Sequence, residues 1–599
     1  MTRIMKTRNI LFFVLAILLQ IDILSAASPE IIRIRQRPDT IGLYEKFEVS
    51  LELKCEFVNP FDPADIDIQA EFTSPSGKKW KINGFYNLSM STLWKVRFSP
   101  DETGKWSYSV TVRDKNGTVT SSPQSFLAVS SKHNGPLQVA SNKRYLTHSN
   151  GKDFYGVGFW YNDGYEGFGS GRVEAAELDR LKSLGVNFIS TFITPLETWA
   201  TGVGRYDQNI AGRLDELLQM LEERDMMLSL NLWFHSYLSE TVWGGGNVRW
   251  YVNPYKQITE AKDFYRSDEA WKYQEKLYRY FIARYGYSRS LALWFIIDEV
   301  NGTDGWVKGD SLKAAEWIGK VHNYLKANDP WNRPTTGTRS GGIKEFWHEG
   351  YQITDIAARE IYEAQGFPIN RTSTIDSADV NPLIHSYRNY ATENQKLWHG
   401  YGKPVINGET GYAHTFYEPS MPGYLAQYHN ALWVTLATGS AMMPFWWAHS
   451  RFINDLTVNS QLTSLRRFTD RIPFAHLTDI KPANIKCVKG GDVYGMQTNE
   501  LVFGWVVNSD GDVAHEKITV SSLKNGKYKL ATYHTWRGMV IEQTEVTVTD
   551  GTITFGPPYM RITGSQARYI GQDMAFILEY IPEPMQLPVK ARSGKGNTK

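Results

Sequence analysis

Two short stretches of this chain run apolar residues straight into carboxylates. LWFIIDEVNG, residues 293–302, ends on Asp298 and Glu299, and KPVINGETG, residues 403–411, sets Glu409 between two glycines. Carboxylates are costly to bury and poor in strands, so such endings ask for a reason. Two carboxyl groups held on separate strands can divide labour. One, kept protonated, gives its proton to a leaving oxygen; the other, ionised, attacks carbon or activates water. Cleavage of a glycosidic bond needs this pair. One such Glu alone reads as a strand cap or a buried ion pair, but two at matching strand ends favour the enzymatic reading.

The elements that would position them recur through the middle of the chain. Apolar runs stand at FYGVGFW (154–160), VNFISTFI (186–193), MMLSLNLWF (226–234), LALWFIID (291–298), TDIAAREIY (354–362), KPVINGE (403–409) and SAMMPFWW (440–447), with RPTTGT (333–338) as a weaker fifth in the series. Amphipathic helical stretches separate them, one with its apolar face on Ile210, Leu214, Leu217, Leu218 and Leu221. Eight strands alternating with helices predict an α/β fold, a (β/α)8 TIM barrel. The rival, a doubly wound sheet, usually carries a glycine-rich first turn, which is absent. Functional groups of a barrel collect at the C-terminal rim, where Glu299 would end the fourth strand and Glu409 the seventh.

Short alternating strands flank this region. LWKVRF sets Trp94, Val96 and Phe98 against Lys95 and Arg97, and the turns NPFDP, SPSGK and DKNG punctuate the segment as in a β-sandwich. LVFGWVV, YKLATYHTW, VIEQTEVTV and AFILEY predict a second sandwich. At the start, Arg3, Lys6 and Arg8 precede ILFFVLAILL and then Leu24-Ser25-Ala26-Ala27, the charged, apolar and small-residue order of a cleaved secretory leader. The expected organisation is leader 1–27, β-sandwich 28–137, barrel 138–474, β-sandwich 475–582 and a disordered tail 583–599. The mature chain would be secreted or periplasmic, with no membrane span.

A formal charge of +2 without a basic block argues against a nucleic-acid partner. Cys55 and Cys487 fall in different segments and are read as buried free thiols. Without zinc-site spacing, a phosphate-binding glycine loop or a Gly-x-Ser-x-Gly elbow, no metal and no cofactor is expected. Aromatics at 14%, with 20 Trp, suit sugar stacking as well as large cores.

The central segment resembles the clan A glycoside hydrolases on WFIIDEVNG and KPVINGETG. That resemblance implies a retaining enzyme with Glu299 as acid/base and Glu409 as nucleophile, acting on a plant or algal poly- or oligosaccharide. It also implies that Tyr362 hydrogen-bonds the nucleophile and that Trp447 is a sugar platform, with Trp446 facing outward. Trp160, Trp233 and His235 are further candidates to line the cleft, with packing an equal explanation for each. The clan's Asn before the acid/base is here Asp298, which accepts but does not donate while ionised, and whose charge would raise the pKa of Glu299. NPFDPADIDIQAEFTSPSGK and RFSPDETGKWSYSV resemble a sandwich placed before barrels in bacterial polysaccharide-degrading enzymes, and the C-terminal segment is similar to that of apiosidase-like relatives. The competing readings are an inverting glycosidase or transglycosylase on the same pair, and a barrel that binds glycan without cleaving it. Glu197, His414, Glu418 and His449 carry no assigned role.

Overall fold

The computed structural model describes residues 28–88, 93–161, 174–192, 195–244, 248–340, 347–363, 387–412, 424–448, 454–558, 560 and 571–583, with only the backbone at 361–363, 393, 398, 399, 412, 424 and 448. The leader, His414, Glu418, His449 and residues 584–599 of the tail lie outside the described residues. Among the described residues no helix is long and apolar enough to cross a membrane.

The chain divides into two compact units, one holding residues up to Ser131 together with Gly204–Gln208 and Tyr273–Tyr287. Its two sheets, antiparallel except where Gln124–Val129 pairs with Thr40–Gly42, close on aromatic rings: Phe72 stacks on Phe98 at 4.3 Å and Phe47 on Phe126 at 3.9 Å. Trp94, Val96 and Phe98 face this core as their alternation predicts. Arg97 differs from the expectation: it is buried, because its guanidinium pairs with Glu48 at 2.9 Å and donates to the Arg284 carbonyl oxygen at 3.0 Å. The unit ends before the expected boundary at 137, since Leu137–Val139 pairs with Leu146–His148 in a small sheet of the second unit.

In the second unit eight parallel strands form the barrel: Gly158–Tyr161, Phe188–Thr191, Met227–Phe234, Leu291–Asp298, Thr335–Thr336, Ala357–Glu363, Val405–Tyr412 and Trp446–Ala448. Neighbours pair in chain order except the fifth and sixth, and the eighth pairs with the first. At the seam between fifth and sixth, the Ile356 N–H donates to the Thr335 carbonyl oxygen at 3.1 Å. The fourth strand is buried on both faces along its whole length, as its unbroken apolar run requires.

The C-terminal sandwich, a six-stranded sheet over a three-stranded one, belongs to the same unit. Asp573 joins it to the helices outside the barrel. Its carboxylate accepts from the Trp505 indole at 2.7 Å, the Trp536 indole at 2.9 Å and His429 Nε2 at 2.9 Å. His429 lies on the helix Tyr424–Ala437 and stacks on Trp536 at 3.9 Å. Cys55 and Cys487 are free but only partly buried, a correction to the expected burial.

Candidate active site

The end of the fourth strand is latched to the chain after the fifth. The Thr338 N–H donates to the Ile297 carbonyl oxygen at 2.9 Å, the Glu299 N–H to Thr338 Oγ1 at 3.0 Å and the Val300 N–H to the Thr338 carbonyl oxygen at 3.0 Å. Glu299 itself sits in the left-handed region, with φ 49° and ψ 55°. A non-glycine residue there costs about 1–3 kcal/mol and persists only where its surroundings enforce it, often at functional positions.

Among the described residues, four carboxyl groups gather at this end of the barrel. One oxygen each from Asp298, Glu360 and Glu409 lie within 4.8 Å of one another. His235, just past the third strand, joins them: its Nδ1 is 2.9 Å from Glu299 Oε2 and 3.7 Å from Asp298 Oδ2. Thr338 donates its hydroxyl to Glu360, with Asp298 Oδ1 3.5 Å away. Glu360 is the residue that sequence reasoning missed. In AAREIY it reads as an ordinary polar strand residue, and no local signal marks it.

The carboxyl groups do not share one protonation state. Burial pushes Glu299 up, yet the charge and hydrogen bond of His235 and the bond from Glu360 bring it down to about 2. This corrects the expectation that Asp298 would raise Glu299; a cation in direct contact outweighs the neighbouring anion. Burial opposes the His235 charge, but Glu299 and Asp298 hold its pKa well above the ordinary value. Burial, and then the charges of Glu299, Asp298 and Glu409, push Glu360 well up, so it keeps its proton and shares it with Glu299. Asp298 is also raised, first by burial. The oxygens of Asp298, Glu360 and Glu409 could hold a hard divalent cation; a proton on Glu360 relieves the same crowding.

The aromatic candidates separate. Trp160, expected as a cleft-lining candidate, is fully buried: its indole N–H donates to the Gly408 carbonyl oxygen at 2.5 Å, beside Glu409, and its ring packs 5.9 Å from Trp447 and 4.7 Å from Phe192. Trp447 is partly exposed, whereas Trp446 is buried edge-on against Tyr428 of an outer helix. Trp233 is buried against Tyr255 and Phe264, which makes it a packing residue. Tyr362 pairs through its backbone with Gly411, and its side chain lies outside the described residues. Glu197 is buried, and its carbonyl oxygen accepts from the Tyr237 hydroxyl at 2.9 Å.

Residues 40–113, within the first sandwich, match a family described only as a domain of unknown function, DUF5060. No curated protein matches the chain. Among solved structures, a presumed glycoside hydrolase from Bacteroides vulgatus is similar, with a TM-score of 0.61 at 14% identity over 91% of this chain and 100% of that one. An endo-β-1,4-mannanase from Thermotoga petrophila reaches 0.41 at 14% identity, over 68% of this chain and 91% of its own. A family 5 mannosidase from Rhizomucor miehei reaches 0.43 at 14% identity, over 56% and 98%. Likenesses as low as the last two say nothing about chemistry, while the first is one of fold. The chain is a (β/α)8 barrel flanked by two β-sandwiches.

Proposed function

We propose that the chain is an exported glycoside hydrolase, related to the apiosidase-like clan A enzymes, that cleaves plant or algal poly- or oligosaccharides by double displacement with retention. The observation that carries this reading is the pair of glutamates on the fourth and seventh strands, Glu299 just past the end of one and Glu409 within the other, inside one buried carboxyl cluster. Glu409 is the nucleophile, and Trp447, partly exposed and packed beside the buried Trp160, offers a face for the sugar. Glu299 is the acid/base. Its proton is available on the 2.9 Å contact with His235: transfer from Nδ1 to Oε2 leaves a neutral imidazole and a carboxylic acid, which passes the proton to the leaving oxygen. In the second step water gives that proton back to Glu299 and its oxygen to the anomeric carbon.

Screening a panel of plant and algal glycans, with NMR of the first-formed anomer, tests the reaction. Retention is expected; an inverted product overturns the assignment of Glu409. Glu409→Ala should lose turnover on every substrate. Glu299→Ala should fail on glycans, still react with an activated aryl glycoside, and be accelerated by azide. One observation favours a second reading, a barrel that binds glycan without cleaving it: His235 holds Glu299 ionised in the free protein. Glycan binding with no turnover of any substrate would establish it.

A further inference from the structure

Beyond the carboxyl cluster, the loop after the third strand holds a feature that the proposed reaction does not use. Trp243 has a backbone φ of 61°, in the left-handed region. A bulky residue adopts that conformation only under compulsion. Its indole nonetheless stays half open, 49% exposed. The covered side lies on His235, at 5.0 Å between ring centres, and on Gly302. A Cβ on Gly302 would come within 2.5 Å of the indole and 2.9 Å of the His235 Cβ. The glycine of DEVNG is therefore the seat of the ring.

The loop is pinned just before the tryptophan. The backbone N–H groups of Glu240 and Thr241 and the Thr241 hydroxyl all donate to the carboxylate of Asp304, the last two each at 3.0 Å. Asp304 is buried; burial would raise its pKa, but these donors and Lys308 hold it down. A tryptophan recruited only to fill a core would be covered and unstrained. This one is held out against its backbone preference, with one apolar face offered to solvent beside the candidate acid/base.

We infer that Trp243 is a stacking platform for the sugar ring on the leaving-group side of the scissile bond. The inference rests on the glycosidase reading above. His235 joins the platform to Glu299, which serves the leaving oxygen. An open aromatic face beside the acid/base suits a leaving group that is itself a sugar residue with an apolar face. The substrate class is an oligo- or polysaccharide rather than a glycoside of a small alcohol or lipid.

The test compares the best oligosaccharide of the panel with the glycosyl fluoride of its non-reducing sugar, whose leaving group needs neither a platform nor a proton. Trp243→Gly removes the ring and accepts the backbone conformation. It should lower kcat/KM on the oligosaccharide by about tenfold to a hundredfold and leave the fluoride within about twofold. Trp243→Phe should recover most of the loss. Asp304→Ala, which frees the loop, should reproduce the selective defect. Equal losses on both substrates, or none on either, overturn the platform while leaving the glycosidase intact. If the wild type cleaves nothing, the glycosidase reading fails and tryptophan fluorescence decides. A response to the panel's oligosaccharides lost in Trp243→Gly supports the platform, and no response in the wild type overturns it.

Discussion

His235 Nδ1 and Glu299 Oε2 lie 2.9 Å apart, and Asp298 Oδ2 is 3.7 Å from the same nitrogen. Third and fourth strands thus meet in an ion pair whose partners are both nearly covered. Such a pair contributes little over an apolar substitute, but breaking it leaves a buried charge alone, a cost of about 3–5 kcal/mol.

That cost depends on pH. The His235 pKa is raised in the fold, so its contribution is complete below 6.5 and is lost as pH climbs through the raised value. The Glu299 pKa is depressed to about 2, so its contribution is complete above 4.5 and is lost as pH falls toward 2. The stability gap between wild type and His235→Gln should therefore be widest between pH 4.5 and 6.5, measured by urea unfolding. A gap independent of pH would show that the pair is not ionised.

Glu360 should behave in the opposite sense. Its pKa is raised, so the fold must keep a proton that the unfolded chain releases above 4.5. Stability falls from there toward the raised pKa, by roughly 1.4 kcal/mol per pH unit. Glu360→Gln copies the neutral acid and should match wild type at pH 4, then exceed it increasingly by pH 8. Thermal melts across that range check it.

Gly408 makes room for the fifth strand's partner. A Cβ there would meet Thr338 Cγ2 at 2.7 Å and Ala358 Cβ at 3.5 Å. Gly408→Ala should cost about 1–3 kcal/mol by overpacking. It should also lower turnover at least about tenfold, because Thr338 anchors the Glu299 backbone and Gly408 precedes Glu409. Adding Thr338→Ser, which keeps the hydroxyl and removes the methyl, should restore both. Failure of that rescue would place the clash elsewhere.

Asp573 should hold the C-terminal sandwich to its neighbouring helices. Asp573→Ala leaves two indole N–H groups and His429 without their acceptor, and should cost about 3–5 kcal/mol in urea unfolding. Burial raises the Asp573 pKa but His429 depresses it further, so its contribution is complete above 3.8 and is lost as pH falls through the depressed value. The gap to wild type should narrow only in that acid range. A loss below about 1 kcal/mol at neutral pH would mean that the network is dispensable.

Read alone, the sequence determined the barrel, both sandwiches and the strand end that carries Glu299, whereas Glu409, expected to end the seventh strand, lies within it because the strand runs on to Tyr412. Each is written in adjacent residues: unbroken apolar runs for strands buried on both faces, alternation for the sandwiches, and a carboxylate where a run stops. The packing role of Trp233, the burial of Arg97, the proton on Glu360 and the lowered pKa of Glu299 were decided by tertiary structure. Each depends on partners far away in the chain: Glu360 meets Asp298, Thr338 and Glu409 only because the barrel brings their strands together. The same holds for Trp243, whose seat on Gly302 lies across two loops. A local pattern reports which face of an element is apolar. It carries no information on which charges will stand within a few ångströms of one another, and those distances set protonation and strain.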